Sequence, residues 1–166
     1  MKLASKYLLL FVASGAVCLS TSIATVAGAW ETRTSPFACM TFGGVPVHRG
    51  GGIGNDGMTP MEVLCDVRDE TGATKQSTTQ LHIHGYDDTT VDSVFATACR
   101  TSAFFRGGAC TPSVATGLGG LGDYQLNLPV AGFWATVTDF GYVVISIPPK
   151  QGNAFISGVR GIYQAD

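Results

Sequence analysis

Charged side chains are scarce in this sequence, which has 10 Lys and Arg and 12 Asp and Glu among its 166 residues. Surface helices usually carry many Glu, Lys and Arg, so the scarcity argues against a helical protein. No uninterrupted apolar run reaches the roughly 20 residues that a bilayer-spanning helix needs. The serine-nucleophile motif G-x-S-x-G and the C-x-x-C pair are both missing. These absences argue against a membrane-spanning helix, a serine elbow and a four-thiolate zinc site.

The first 29 residues have the organisation of a secretory signal peptide. Two lysines form a basic start, an apolar run follows from Tyr7 to Leu19, and small residues lead to Ala27-Gly28-Ala29. We therefore expect a signal peptide at residues 1–29 and one domain at residues 30–166. Cleavage after Ala29 would leave a chain that is secreted, periplasmic or held at the outer surface, without a transmembrane anchor.

The expected mature chain is mildly acidic. Removal of Lys2 and Lys6 leaves eight basic residues against twelve acidic ones, a formal net charge of −4. Domains that bind nucleic acid carry a clustered basic face instead. The composition therefore excludes nucleic acid as the expected partner.

Apolar and polar residues alternate along most of the mature chain, which predicts β-strands. Gly, Pro, Asn or Asp bound these segments, as they usually bound strands. We predict an all-β fold, a single antiparallel β-sandwich of Ig-like or jelly-roll-like type with about eight strands. The segments are Phe37–Phe42, Met61–Arg68, Gln80–His84, Thr90–Thr101, Gln125–Val130, Phe133–Thr138, Tyr142–Ile147 and Phe155–Tyr163.

One predicted strand has a helical alternative, and two glycine-rich segments are predicted to lie outside the strands. Val91–Ala98 would also fit one or two helical turns. Two segments rich in glycine, Gly50–Gly57 and Gly117–Gly122, are predicted to be loops. The second reads G-x-G-x-x-G, but a strand rather than a helix is expected after it, so it predicts no dinucleotide site.

Four cysteines remain after cleavage: Cys39, Cys65, Cys99 and Cys110. An even number of cysteines in an exported chain indicates two disulfides. Three connectivities are open. Because local loops close most readily, we favour Cys39–Cys65 together with Cys99–Cys110.

Three short motifs follow one another in the mature chain: MEVLC at 61–65, GYVVISIPP at 141–149 and ISGVRGIY at 156–163. With Cys39 and Cys99, this order resembles a loose group of small exported proteins of environmental Gram-negative bacteria. The resemblance covers most of the mature chain and implies an exported all-β domain, but it implies no activity. Members often have a cysteine near the position of Ser146.

The segment His82-Ile83-His84 is a candidate metal site. Residues i and i+2 of a strand point to the same face, so both imidazoles would reach one zinc or copper ion, with Asp87 as a third ligand. A small exported metal-dependent enzyme or hydrolase is therefore the alternative function. The competing interpretation places both histidines on the solvent face of a strand whose other face holds Leu81 and Ile83.

Calcium is a further candidate at the carboxylates Asp66, Asp69 and Glu70, since calcium prefers oxygen ligands. The competing interpretation is a solvated turn, because the sequence around these residues is typical of turns. Beyond these metals, no cofactor is predicted.

The segment between Cys99 and Cys110 is a candidate binding loop. If these cysteines pair, they close a short loop that presents Phe104 and Phe105 beside Arg106, a composition typical of binding hot spots. The competing interpretation is that the phenylalanines pack into the core.

Trp134 is predicted to be exposed on the polar face of its strand, where it would stack on a sugar ring or cover a sheet edge. These features favour a non-catalytic binding or structural surface module, with a glycan or a cell-surface protein as its partner. A subunit that adds an edge strand to a neighbour is a further alternative.

The first prediction concerns export. We expect the native protein to begin at Trp30, because the Ala27-Gly28-Ala29 sequence fits the cleavage site of a signal peptide. N-terminal sequencing of the protein purified from its natural source measures this directly. A native chain that still begins at Met1 would contradict the prediction.

Overall fold

The computed structural model describes residues 32–69, 74–102, 107–119, 121–152 and 156–165. The predicted signal peptide lies outside these residues. The described part forms one 3-10 turn at Pro36–Ala38 and twelve strands. The strands are β1 (Thr32–Thr34), β2 (Met40–Gly43), β3 (Pro46–Arg49), β4 (Gly52–Asn55), β5 (Met61–Val67), β6 (Gln80–Asp87), β7 (Phe95–Ser102), β8 (Gly108–Cys110), β9 (Val114–Ala115), β10 (Gly122–Pro129), β11 (Asp139–Ile147) and β12 (Gly158–Ala165).

The strands form two antiparallel sheets that pack against each other. Sheet A has the order β10-β6-β12-β4-β3, and β1 also pairs with β12. Sheet B has the order β2-β5-β11-β7-β8, and β9 also pairs with β7. The predicted antiparallel β-sandwich is confirmed, with twelve strands among the described residues instead of about eight. No helix in the described part of the chain is long and apolar enough to cross a membrane.

The core lies between the inner faces of the two sheets. Val63 of β5 and Val143 and Ile145 of β11 are fully buried, and so are Leu81 and Ile83 of β6 on the opposite sheet. The residues between them along each strand point outwards, because side chains alternate across a pleated strand. Each such buried aliphatic side chain stabilises the fold by about 1.5–3 kcal/mol.

A buried amide connects the two sheets at one end. Asn55, at the end of β4 in sheet A, accepts hydrogen bonds from the backbone N–H groups of Val45 (3.0 Å) and Gly57 (2.9 Å). Its side-chain nitrogen donates to the carbonyl oxygens of Thr59 (2.8 Å) and of Pro148 (3.0 Å), which follows β11 of sheet B. Removing this amide would leave several buried backbone groups without a partner, at a cost of about 1–3 kcal/mol for each group.

A buried carboxylate makes a second connection. Asp87, at the end of β6, is completely buried. Its oxygens accept hydrogen bonds from the hydroxyls of Thr89 (3.0 Å), Ser157 (2.7 Å) and Thr116 (2.5 Å). Thr116 follows β9 of sheet B, so the contact ties the two sheets together. Charge-assisted hydrogen bonds of this kind offset the cost of burying a carboxylate.

The predicted strand at Thr90–Thr101 is present as β7 from Phe95 onwards, and the alternative helical turn at Val91–Ala98 does not form. Two other parts of the predicted pattern are wrong. The segment Phe133–Thr138 forms turns instead of a strand. The glycine-rich segment Gly50–Gly57 contains β4, where a Cβ atom on Gly52 would lie only 2.2 Å from the carbonyl oxygen of Val159. Glycine is needed there because the neighbouring strand comes too close for a side chain.

Both favoured disulfides are confirmed. Cys39–Cys65 joins the residue before β2 to β5, and Cys99–Cys110 joins β7 to β8. Cys99 and Cys110 are directly paired across their two strands. Disulfides persist in oxidising compartments, so this pair of bonds indicates an extracellular or periplasmic environment.

The second prediction concerns these disulfides. Replacing both cysteines of one bridge by alanine is expected to lower the free energy of unfolding by about 3 kcal/mol, because the unfolded chain regains loop entropy. The Cys39–Cys65 bridge spans 26 residues and the Cys99–Cys110 bridge 11, so the first loss should be slightly larger. Urea unfolding of the two double variants measures both values. A variant as stable as the unmodified chain would contradict the prediction.

Candidate functional site

The outer face of sheet B carries large apolar side chains that are exposed to solvent. Phe140 of β11 is 62% exposed, Met40 and Phe42 of β2 are 58% and 52% exposed, and Phe95 of β7 is 46% exposed. All four lie at outward positions of their strands, opposite the buried inner residues. A sandwich domain usually presents polar side chains at such positions.

Half-buried residues join some of these side chains. Strand pairing places Met40 beside Leu64 of β5 and Leu64 beside Val144 of β11. Tyr142 occupies the outward position between Val144 and Phe140 on β11. Polar residues separate Phe42 from Phe95, because Glu62 and Ser146 lie between them in the register. The outward side of β2, β5, β11 and β7 is called the sheet B outer face below.

Three hollows adjoin at the end of this face where β11 begins. The first, of about 420 Å³, lies between Met40 and Phe140. The second, also of about 420 Å³, is lined by Phe140 and by Val137 of the preceding turn. The third, of about 430 Å³, contains Arg100 and shares Asp139 with the second. The exposed ring of Phe140 therefore stands between two concave regions, as side chains at binding surfaces often do.

Trp134 supports this end of the face from below. The prediction that it is exposed is wrong, because its side chain is fully buried. The indole packs under Gly141 of β11, where a Cβ atom would lie 2.9 Å from the ring, and its Nε1 donates a hydrogen bond to the carbonyl oxygen of Cys99 (3.1 Å). Since residues 131–138 form turns, strand alternation does not apply, and the indole points inwards.

Arg100 fixes the turn that contains Trp134. Its Nη1 donates a hydrogen bond to the carbonyl oxygen of Phe133 (2.8 Å), and its guanidinium lies 5.3 Å from the centre of the Phe133 ring. The same nitrogen lies 3.7 Å from a carboxylate oxygen of Asp139, which is 9% exposed. The guanidinium thus joins β7, the turn and the start of β11.

The described ends of the predicted binding loop lie next to this region. Phe104, Phe105 and Arg106 lie outside the described residues. Ser102 and Gly107, the described residues on either side, line the third hollow. The contribution of the two phenylalanines to binding stays a prediction.

The structure separates the three predicted metal ligands. His82 and His84 are half-buried on the outer face of sheet A, as the alternation with Leu81 and Ile83 predicts. Asp87 points to the inner face, and its oxygens accept hydrogen bonds from the hydroxyl groups described above. The carboxylate therefore lies on the opposite face of the strand from the two histidines and does not provide the predicted third ligand for a metal ion.

The remaining ligand candidates are also dispersed. Among the described residues, no group of three or more His, Cys, Asp or Glu side chains is placed to hold a metal ion. Asp66 lies 3.5 Å from Arg68, and Asp69 accepts hydrogen bonds from the backbone and the side chain of Lys75. Burial acts to raise the pKa of Asp69, but the Lys75 hydrogen bonds and charge outweigh it and hold the pKa below its ordinary value. Glu70 lies outside the described residues, and binding of zinc, copper or calcium stays a prediction.

Sequence reasoning missed the exposed apolar residues of sheet B. The signal is visible in β11, where Phe140, Tyr142 and Val144 alternate with the buried Gly141 and Val143, so the strand is apolar on both faces. The sequence predicts a central strand from this pattern, and β11 is indeed central in sheet B. However, a central strand that is apolar on both faces also indicates that its outer face contacts something.

No protein-family model matches this chain, and no curated protein is significantly similar to it. The resemblance to small exported bacterial proteins therefore stays a prediction.

The third prediction tests the support beneath the face. Gly141→Ala is expected to lower the free energy of unfolding by about 1–3 kcal/mol, because its new methyl group must displace the fully buried indole of Trp134. Ser146→Ala, on the outward side of the same strand, serves as the control and should change stability by less than about 0.5 kcal/mol. Equal stability of the two variants in urea unfolding would contradict this account.

Proposed function

We propose that the mature chain is an exported, non-catalytic binding module that contacts another protein through the sheet B outer face. The observation that carries this proposal is the exposure of Phe140, Met40, Phe42 and Phe95 on one face of one sheet. Soluble domains rarely leave several large apolar side chains exposed on one face of a sheet unless that face binds a partner.

The size of the face suits a protein partner. Four strands spaced about 4.8 Å apart make the face roughly 19 Å wide, and about seven residues at about 3.3 Å each make it roughly 23 Å long. The side chains that project from the sheet add to this area. Standard protein interfaces bury about 800 Å² of accessible surface on each partner. Together with the adjoining hollows, the sheet B outer face is large enough to form the centre of such an interface.

The charges on this face define the chemistry of the partner. The outward residues Glu62 and Asp66 place carboxylates among the apolar side chains of β5, and Arg68 pairs with Asp66 at a distance of 3.5 Å. A partner surface with apolar side chains at its centre and Lys or Arg at its margin would complement this arrangement.

The face is held in shape before binding. The Cys39–Cys65 disulfide fixes β2 against β5, and the Cys99–Cys110 disulfide lies beside Tyr142 on the neighbouring strand. Trp134 supports the backbone of β11 at Gly141. A surface that is already ordered loses less conformational entropy when it binds, which favours affinity.

Export is part of the same proposal. The two disulfides require an oxidising compartment, and the basic, apolar and small-residue order of residues 1–29 would deliver the chain there. A module on the cell surface or outside the cell would meet its protein partner in that compartment.

The fourth prediction tests the face directly. A photoreactive phenylalanine analogue placed at Phe140 or at Phe42 should form the same cross-linked adduct in the native exporting cells. The matched control position is Leu118, which is 76% exposed on the loop between β9 and β10 and lies outside the face. Phe140→Ser should reduce the adduct formed from position 42 at least about tenfold, since central aromatic contacts dominate binding energy.

The mass of the adduct identifies the partner. An adduct with a different protein supports the proposed function, whereas an adduct with a second copy of this chain would overturn it by showing that the face joins copies of the chain. No adduct from positions 140 and 42, or equal adducts from position 118, would overturn the proposed function.

A further inference from the structure

The strand β10 forms the longest free sheet edge in the described part of the chain. It has 8 residues, and it pairs with β6 on one side in a register without a bulge. The other strands that end a sheet or branch from one, β1, β2, β3, β8 and β9, have two to four residues each. Proteins usually protect their sheet edges with short strands, lysines, bulges or inward charges. β10 has none of these devices, and the proline that ends it is its one protection.

Alternate residues of β10 direct their backbone groups to the free edge. Val130, directly after the strand, donates its N–H to the carbonyl oxygen of Thr79, directly before β6 (2.9 Å). Because the backbone groups of successive residues point to opposite edges, the even-numbered residues of β10 face β6 and the odd-numbered ones face away from it. Pro129 belongs to the outward set, which suits a residue without an N–H group. The other outward residues, each with one donor and one acceptor, are Asp123, Gln125 and Asn127.

We propose that β10 of a second copy of this chain pairs with this edge, in antiparallel orientation, about a two-fold axis at Gln125. In this register Gln125 lies opposite Gln125 of the second copy, and Asp123 lies opposite Asn127. All three outward residues then exchange backbone hydrogen bonds with the second copy, about six bonds in total. Strand addition of this kind gains its affinity from the main-chain bonds.

The two ends of β10 select this register over its neighbours. A register centred on Leu126 would place the ring of Pro129 where the carbonyl group of the second copy's Asp123 needs a donor. A register centred on Tyr124 would bring Leu121 into the ladder, although its N–H already donates to the carbonyl oxygen of Gly119 (3.1 Å). The register centred on Gln125 avoids both conflicts.

The side chains of β10 suit pairing with a second copy of the same strand. Asp123 is the one charged residue of β10, and the register places it opposite an amide, that of Asn127, so that the two carboxylates do not meet. One oxygen of Asp123 accepts a hydrogen bond from Arg160 of its own chain (2.7 Å), and the other can accept from the amide. Asn127 Oδ1 accepts from Gln125 Nε2 (2.8 Å), so Nδ2 is the atom that would donate to the carboxylate.

The middle and the ends of the paired strands are compatible as well. The two Gln125 amides meet at the axis, and an amide both donates and accepts. At each end, Leu121, which is 58% exposed, would lie opposite the exposed Pro129 of the second copy. Apolar contacts therefore border the hydrogen-bonded part on both sides, and cross-strand contacts of this kind stabilise a sheet.

This pairing would join sheet A of the two copies into one continuous sheet. The two-fold axis between antiparallel strands of one sheet is perpendicular to that sheet, so both sheet B outer faces would lie on the same side of the dimer. Two contact faces on one side would hold a partner at two places and raise the overall affinity. This consequence rests on the proposed function, whereas the pairing itself rests on β10 alone.

The fifth prediction concerns the mass of the mature chain in solution. Static light scattering at about 0.1 mM should give twice the mass of one chain. Gln125→Glu and Gln125→Lys should each raise the dissociation constant of the dimer at least about tenfold, because like charges would meet at the two-fold axis. An equal mixture of these two variants should restore the dimer, because opposite charges then meet.

Met58→Glu and Met58→Lys are the matched controls. They introduce the same charges at a side chain that is 75% exposed on the loop between β4 and β5, and both should stay dimeric. Because Gln125 belongs to sheet A, loss of the dimer would leave the sheet B outer face unchanged. The pairing and the proposed protein contact therefore fail or succeed separately.

Amide hydrogen exchange of the unmodified chain tests the same pairing without a variant. The N–H groups of Gln125 and Asn127 should be protected as well as that of Leu126, which faces β6, because both edges of β10 are then hydrogen-bonded. Three results would overturn the inference: a monomer in light scattering, fast exchange at Gln125 and Asn127, or charge variants of Gln125 that dimerise as tightly as the unmodified chain.

Discussion

The burial of the inner sheet faces is the constraint on which the rest of this structure depends. Val63, Val143 and Ile145 of sheet B pack in one core with Leu81 and Ile83 of sheet A. Because side chains alternate strictly along a strand, burial of these residues decides which residues point outwards. A shift of one residue in β11 would bury Phe140, Tyr142 and Val144 and expose the core.

The two buried polar groups reinforce this arrangement at one end of the sandwich. Asn55 and Asp87 both lie at strand ends of sheet A and form hydrogen bonds with groups that adjoin strands of sheet B. Such contacts favour one alignment of the sheets, because any other alignment would leave buried polar atoms without partners. The side chains on the outward faces of the two sheets are therefore fixed by the same packing that buries the core.

The sequence predicts much of this fold because alternation and cysteine spacing are local signals. The strands β5, β6 and β11 contain most or all of the segments predicted at Met61–Arg68, Gln80–His84 and Tyr142–Ile147, and both disulfides join the cysteines favoured by short loops. The burial of Trp134 could not be predicted in this way. The residue lies in a turn, where side chains do not alternate between two faces, and its indole fills the space that Gly141 leaves by having no side chain. The strand β4 was missed because its glycines resemble a loop until the close approach of Val159 is known.

The candidate sites were less predictable than the fold, because they depend on what neighbouring strands leave exposed or unpaired. The exposure of Met40 and Phe140 follows from the pairing of β2, β5 and β11. The histidine pair was visible in the sequence, but the pleat directs Asp87 to the opposite face from His82 and His84. Local spacing identifies side chains that share a strand face, whereas a site requires contacts between strands far apart in the sequence.

Hydroxyl-radical labelling of side chains, read by mass spectrometry, tests the central claim that the sheet B outer face is covered in its natural setting. Met58, which is 75% exposed and lies on the loop between β4 and β5, is the internal reference. Our account predicts that Met40 and Phe140 are labelled in the purified chain and protected in the native exporting cells, while Met58 is labelled in both. Equal labelling of Met40 and Phe140 in the two samples would contradict it.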